Sequence, residues 1–177
     1  MTWTGEFFDG IRLYCNWEFG RQAAIRKPAQ TDLANDVVYE NASNLALVIN
    51  ELFHHPGARK DFMTRLQRLY PGLVNLTTRI SGGAVQLFVE EEDLTQPIPA
   101  SRLSDGTLRY IFLLAILCHP SPPPVICIEE PEIGLHPDMI AEVGQPGTSW
   151  EELPRRSSTA AHRNVASFNW LLGPHSF

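Results

Sequence analysis

The sequence predicts an α/β fold with a central sheet, and three stretches carry that prediction. "VICI", residues 125–128, is β-branched and apolar with no alternation, the pattern of a strand covered on both faces as in a parallel or mixed sheet. "LVNLTTRI" and "AVQLFVE", on either side of "SGG", alternate with period two and read as a β-hairpin. Between and before them lie segments with helical period. Composition permits such a core: 177 residues with 44 % hydrophobic and 19 % charged content make one globular domain the default.

Residues 1–40 mix aromatics (Trp3, Phe7, Phe8, Tyr14, Trp17, Phe19) with scattered charges, and predict only short strands and loops. From Asn41 the period sharpens. Ser43 is placed to cap a helix whose apolar face is Leu45, Val48, Ile49 and Leu52, ended by His54, His55, Pro56 and Gly57. A second helix sets Phe62, Leu66 and Leu69 on one face before Pro71 and Gly72 stop it, and the pair predicts a helical hairpin. In the β-hairpin, Val74, Leu76, Thr78 and Ile80 share one side of the first strand, and Val85, Leu87 and Val89 one side of the second. The loop takes about three residues, with Gly82 or Gly83 at positive φ. The acidic run "EEED", 90–93, reads as a solvated turn.

Thr107 to Cys118 is apolar almost all round, which predicts a helix buried on most sides. "HPSPPP" cannot continue it, and "VICI" follows. Beyond Ile140 the chain turns rich in Gly, Pro, Ser and Arg without an apolar period, and is expected to form a poorly ordered tail.

A net charge of -6 argues against a broad basic footprint for nucleic acid. Cys15, Cys118 and Cys127 are odd in number, widely spaced and without a CxxC pair, the pattern of buried thiols in a reducing compartment. "MTWTGEFFDG" has no basic region followed by an apolar one, so no secretory signal is read there. The longest apolar run, near 110–118, is too short to cross a bilayer. A soluble, cytoplasmic protein is the expectation.

The chemistry is concentrated between 101 and 137. Carboxylates directly after a buried strand stand at the carboxyl end of a sheet, where ligands bind in open α/β folds. Of Glu129 and Glu130, one can hold a hydrated magnesium ion while its neighbour orients or deprotonates a water for attack on a phosphoryl group. The plainer alternative for "EEPE" is a solvated turn. In "LSDGT", Ser104 offers a hydroxyl, Gly106 allows close approach of the backbone, and the helix beginning near Thr107 presents unpaired N–H groups, together an anion site. Its alternative is an ordinary helix cap.

"LSDGT", a helix, then "VICIEEPEIGLHP" resembles the signature motif, Walker B strand and D-loop of the ABC-type ATPases, in the RecF- and SMC-like group of AAA-type ATPase core domains with a P-loop NTPase-like fold. "SNLALVINEL", "LYPGLVNLTTRISGGAVQLFVEE" and "PIPASRLSDGTLRY" are similar to the same group, so the resemblance spans roughly residues 5–141. It implies ATP and Mg2+ as cofactors, Glu129 at the magnesium position and Glu130 as the catalytic carboxylate polarising water. Family members often carry Asp where Glu129 stands. Ser104, Asp105, Gly106 and Thr107 fall on the signature loop, which in the family meets the γ-phosphate of ATP held by a second protomer. Gly134, Leu135 and His136 fall on the D-loop at that interface, with His136 as a metal ligand the lesser alternative. A homodimer, or pairing with a complete ATPase, is thereby implied.

Two family elements are missing. No GxxxxGK[ST] occurs, Lys27 and Lys60 being the only lysines, and no strand ending in a switch His follows "VICIEE". The expected organisation is therefore a partial ATPase domain over 1–141, beginning downstream of the phosphate-binding lobe, and a tail over 142–177 of the kind a frameshift leaves. The expected function is an ATPase with weak or no activity alone. A non-catalytic module partnering a complete ATPase is second. Third is a magnesium-dependent phosphodiester hydrolase using Glu129, Glu130, Glu132 and His136, which the lack of a basic groove disfavours. No residue selects DNA or any other partner.

Overall fold

A computed structural model gives the architecture, and it describes residues 11–15, 18–123, 125–130, 135 and 137. The expected tail at 142–177 lies outside the described residues. Along the chain run β1 (Ile11–Tyr14), a 3-10 turn (Ala24–Arg26), β2 (Ala29–Gln30), α1 (Leu45–Leu52), α2 (Pro56–Leu69), β3 (Leu73–Ser81), β4 (Ala84–Glu91), β5 (Ile98–Pro99), a second 3-10 turn (Ala100–Arg102), α3 (Asp105–Leu117) and β6 (Val125–Ile128).

The mixed α/β class is as expected, but the described strands form two sheets rather than one central sheet. β1 and β6 pair in parallel, Ile11 with Val125 through Tyr14 with Ile128. β2, β4 and β3 form an antiparallel sheet in that order, with β5 also paired to β4. β6 is half-buried and its Cys127 exposed, so "VICI" is not covered on both faces as its composition predicts. Composition reports apolarity and leaves open how many faces are covered. The exposed Cys127 and partly exposed Cys15 likewise overturn the expectation of three buried thiols, which only Cys118 meets.

α3 is the centre of the molecule. Leu108 to Ile116 are all buried, a run of nine that no amphipathic helix could hide. α1 (Val48, Ile49, Leu52), α2 (Phe62, Leu66) and the inward side of β3 and β4 (Leu76, Val85, Leu87, Val89) complete one core with it. β1 joins through Tyr14, whose ring meets Phe112 edge-on at 5.5 Å. Between α2 and α3, the Tyr110 hydroxyl donates to the Arg65 carbonyl at 3.2 Å and the Cys118 thiol to Asp61 at 3.5 Å. Asp61 also holds Arg65 at 3.1 Å, so the buried guanidinium has its counter-charge one helical turn away. No helix among the described residues is long and apolar enough to cross a membrane.

Several boundaries differ from the sequence-based expectation for identifiable reasons. Ser43 does not cap α1: Asn44 precedes the helix, and its fully buried side chain accepts from the Tyr39 amide (2.8 Å) and donates to Ala34 O (2.8 Å) and Val37 O (2.7 Å). Pro56 starts α2 rather than merely ending α1, since its missing N–H costs nothing at a first helical position. The β-hairpin turn has two residues, with both Gly82 (φ 57°) and Gly83 (φ 76°) left-handed, the pattern that matches the twist of the flanking strands. Val74 is exposed because the β3–β4 register slips between Leu73 and Asn75, and Ile80 is exposed near the turn end of its strand. Glu90 and Glu91 belong to β4, where Thr77 and Tyr70 hydroxyls donate to them, leaving Glu92 and Asp93 to the turn.

Candidate functional site

β1 and β6 run parallel, so the residues that follow them emerge on one edge. Tyr14 pairs with Ile128, which sets Cys15 beside Glu129, and the Glu129 amide donates to Tyr14 O at 3.0 Å. Tyr14 is itself fixed by donating to Val38 O at 2.9 Å, and burial pushes its phenol up to about 12. The loop before α1, organised on the Asn44 side chain, thereby reaches the same edge, and Glu40 accepts from the Cys15 amide at 3.1 Å. Burial raises the Cys15 thiol, reinforced by the carboxylates of Glu129 and Glu40 and by a hydrogen bond to Glu129. Glu130 follows with φ 47°, a left-handed backbone that is strained for a residue with a Cβ. Both Glu129 and Glu130 are exposed to solvent.

The second cluster is the turn entering α3. The helix starts at Asp105, two residues before the predicted Thr107, because Ser104 is its cap: the Ser104 hydroxyl accepts from the Thr107 amide at 3.0 Å and lies 2.8 Å from the Thr107 hydroxyl. Asp105 occupies the first helical position, where its charge suits the helix dipole, and pairs with Arg26 at 2.5 Å. Arg26 also donates from Nε to Gly20 O (3.0 Å) and from Nη1 to Ser101 O (3.0 Å) and Leu103 O (2.7 Å). One helical turn along, the buried Arg109 guanidinium lies 4.6 Å from the centre of the Phe19 ring. Burial lowers its pKa, and Asp105 opposes that.

Among the sequence-predicted residues, Ser104, Asp105, Gly106 and Thr107 thus form one turn, while Glu129 and Glu130 stand on the β1–β6 edge. Leu135 is partly buried against the core. Glu132, Gly134 and His136 lie outside the described residues. Sequence reasoning missed Arg26, Glu40 and Cys15. Their roles come from contacts between segments distant in the chain, and no period or spacing marks them.

Exposed carboxylates after a strand suit Mg2+, a hard cation that takes one or two carboxylate oxygens and completes its shell with water and phosphate. Among the described residues no group of three or more His, Cys, Asp or Glu side chains could hold a metal ion.

A family model described as "AAA domain, putative AbiEii toxin, Type IV TA system" matches residues 20–146, which take in Arg26, the Ser104 turn and both edge glutamates. No curated protein and no solved structure matches the chain.

Proposed function

We propose, from the premise that this chain belongs to the family of AAA domains of the AbiEii type, that it supplies the signature turn and the carboxylate pair of an ABC-type ATP-hydrolysing site completed by a second protomer. The observation that carries this reading is the joint emergence of Glu129 and Glu130 at the carboxyl edge of two parallel strands, Glu129 tied to Tyr14 and Glu130 turned by a left-handed backbone.

On this reading Glu130 accepts a proton from, and orients, the water that attacks the γ-phosphorus of ATP. Glu129 would hold the magnesium ion, which would supply neutralising charge for the phosphate oxygens. Ser104 and the amides of Asp105 and Gly106 face the γ-phosphate held by the other protomer, where the helix N-terminus favours an anion, and Thr107, whose amide is taken by the Ser104 cap, holds that hydroxyl in place. The resemblance assigns His136 and Gly134, outside the described residues, to the D-loop of that same interface. The partner is a second copy or a complete ATPase, and the 177 residues contain no GxxxxGK[ST], so the loop that cradles the other phosphates comes from elsewhere.

That missing loop also favours a second reading, a non-catalytic half that associates with a complete ATPase and alters its turnover. One experiment separates the two: MgATP binding and phosphate release are measured for the chain, alone and with a P-loop-bearing partner, beside Glu130→Gln. The first reading predicts that Glu130→Gln abolishes release and spares binding. Release unchanged by the substitution sinks the role of Glu130. Association without any release attributable to Glu130 favours the second reading.

A further inference from the structure

We infer that Arg26 is the positioning residue of the Ser104 turn, fixing the backbone that enters α3 and cancelling the charge of Asp105 so that the turn can receive a phosphate. The inference rests on the reading of that turn given above. Four hydrogen bonds leave this one guanidinium. They reach Gly20 O, Ser101 O, Leu103 O and the Asp105 carboxylate at 3.0, 3.0, 2.7 and 2.5 Å. Arg26 thus holds its own preceding turn, the 3-10 turn over Ala100–Arg102 and the first residue of α3 in one arrangement. Only a planar fork of donors can serve these acceptors together, so Lys is no substitute. The Arg26 side chain is 11 % exposed, whereas that of Asp105 is 55 % exposed: the cation is largely covered and the anion more open to solvent.

Electrostatics give the second half of the argument. A carboxylate at the first position of α3 stabilises the helix, yet the same charge would repel a phosphate approaching its N-terminal amides. Paired with Arg26, and with Arg109 one helical turn along, Asp105 no longer presents an unopposed negative charge, and the free N–H groups and the Ser104 hydroxyl decide what binds. Loss of Arg26 uncovers the carboxylate as well as loosening the turn. A residue of merely structural role lacks that first effect.

The test uses the full chain mixed with a P-loop-bearing partner ATPase that holds the nucleotide, the chain being wild type, Arg26→Lys, Arg26→Ala, Asp105→Asn or the double variant Arg26→Ala/Asp105→Asn. Amide hydrogen exchange reports order, and amide shifts of Asp105, Gly106 and Thr107 on adding MgATP report binding. Arg26→Ala is expected to speed exchange at Leu103 to Thr107 about tenfold while α3 keeps its protection, with Arg26→Lys in between. MgATP affinity is expected to fall about tenfold in Arg26→Ala and to recover largely in the double variant, since the uncovered charge is gone. Exchange at Leu103 to Thr107 unchanged in both Arg26 variants, or raised uniformly along the chain, overturns the positioning role. A double variant that binds no better than Arg26→Ala overturns the charge-cancelling role. If the wild type itself shows no MgATP response at these amides, the phosphate reading of the turn and the charge-cancelling role both fail, while exchange still decides whether Arg26 orders the turn.

Discussion

The amide of Glu129 donates to the carbonyl of Tyr14 at 3.0 Å, carrying the parallel ladder of β1 and β6 past its last paired residues, Tyr14 and Ile128. This bond fixes the backbone of Glu129, so the turn away from the strand falls on Glu130 at φ 47°. A Cβ in that conformation costs on the order of 1 kcal/mol. Glu130→Gly is expected to raise the urea midpoint by the equivalent of about 1 kcal/mol, and Glu130→Gln, which keeps the Cβ, to leave it within about 0.5 kcal/mol. Gly and Gln variants of equal stability would show that the left-handed backbone stores no strain.

Asn44 and Ser43 offer a paired test of what starts α1. Asn44→Ala strands the Tyr39 amide and the Ala34 and Val37 carbonyls that its buried side chain serves, and is expected to cost about 3 kcal/mol in chemical denaturation. Ser43→Ala removes no cap and is expected to change stability by less than about 0.5 kcal/mol. The Asn44 variant should also disturb the amide of Cys15, because the loop carrying Glu40 loses its anchor.

His119 is expected to make stability depend on pH. Its pKa is lowered, chiefly by burial; the Ser121 amide bonds its ring, His55 adds to the lowering, and Asp36 and Glu51 oppose it. A depressed histidine binds fewer protons folded than unfolded, so stability is full above the unfolded value of about 6.5 and is lost as pH falls through the folded value. Melting temperature is expected to drop from pH 7 to pH 5, with a flatter profile for His119→Asn, which retains an acceptor near Nδ1. Identical slopes for the two proteins would remove His119 as the cause.

Leu114 and Ile80 test where the core sits. Leu114 is fully buried on α3, and Ile80, equally apolar in composition, is 69 % exposed on β3. Leu114→Ala is expected to cost about 2–5 kcal/mol and Ile80→Ala less than about 0.5 kcal/mol in denaturant melts.

Local pattern by itself determined the elements. The spacing of Leu45, Val48, Ile49 and Leu52, the alternation around Gly82 and Gly83, and the unbroken apolar run to Cys118 each report one segment's own period, and backbone geometry converts such periods into helix or strand without reference to distant residues. The carboxylates after β6 and the Ser104 turn were legible for the same reason, as short motifs on one piece of chain. Tertiary structure alone decided which faces those elements cover and who serves their ends. Cys127 stays exposed although its strand is apolar. Asn44 displaces Ser43 at α1 because the Tyr39 amide and two carbonyls converge on it. Arg26 and Glu40 reach Asp105 and Cys15 across long stretches of chain. A sequence records a residue's neighbours along the chain, and hydrogen bonds and ion pairs are set by distance in space, which exists only once α3 has gathered the other elements around it.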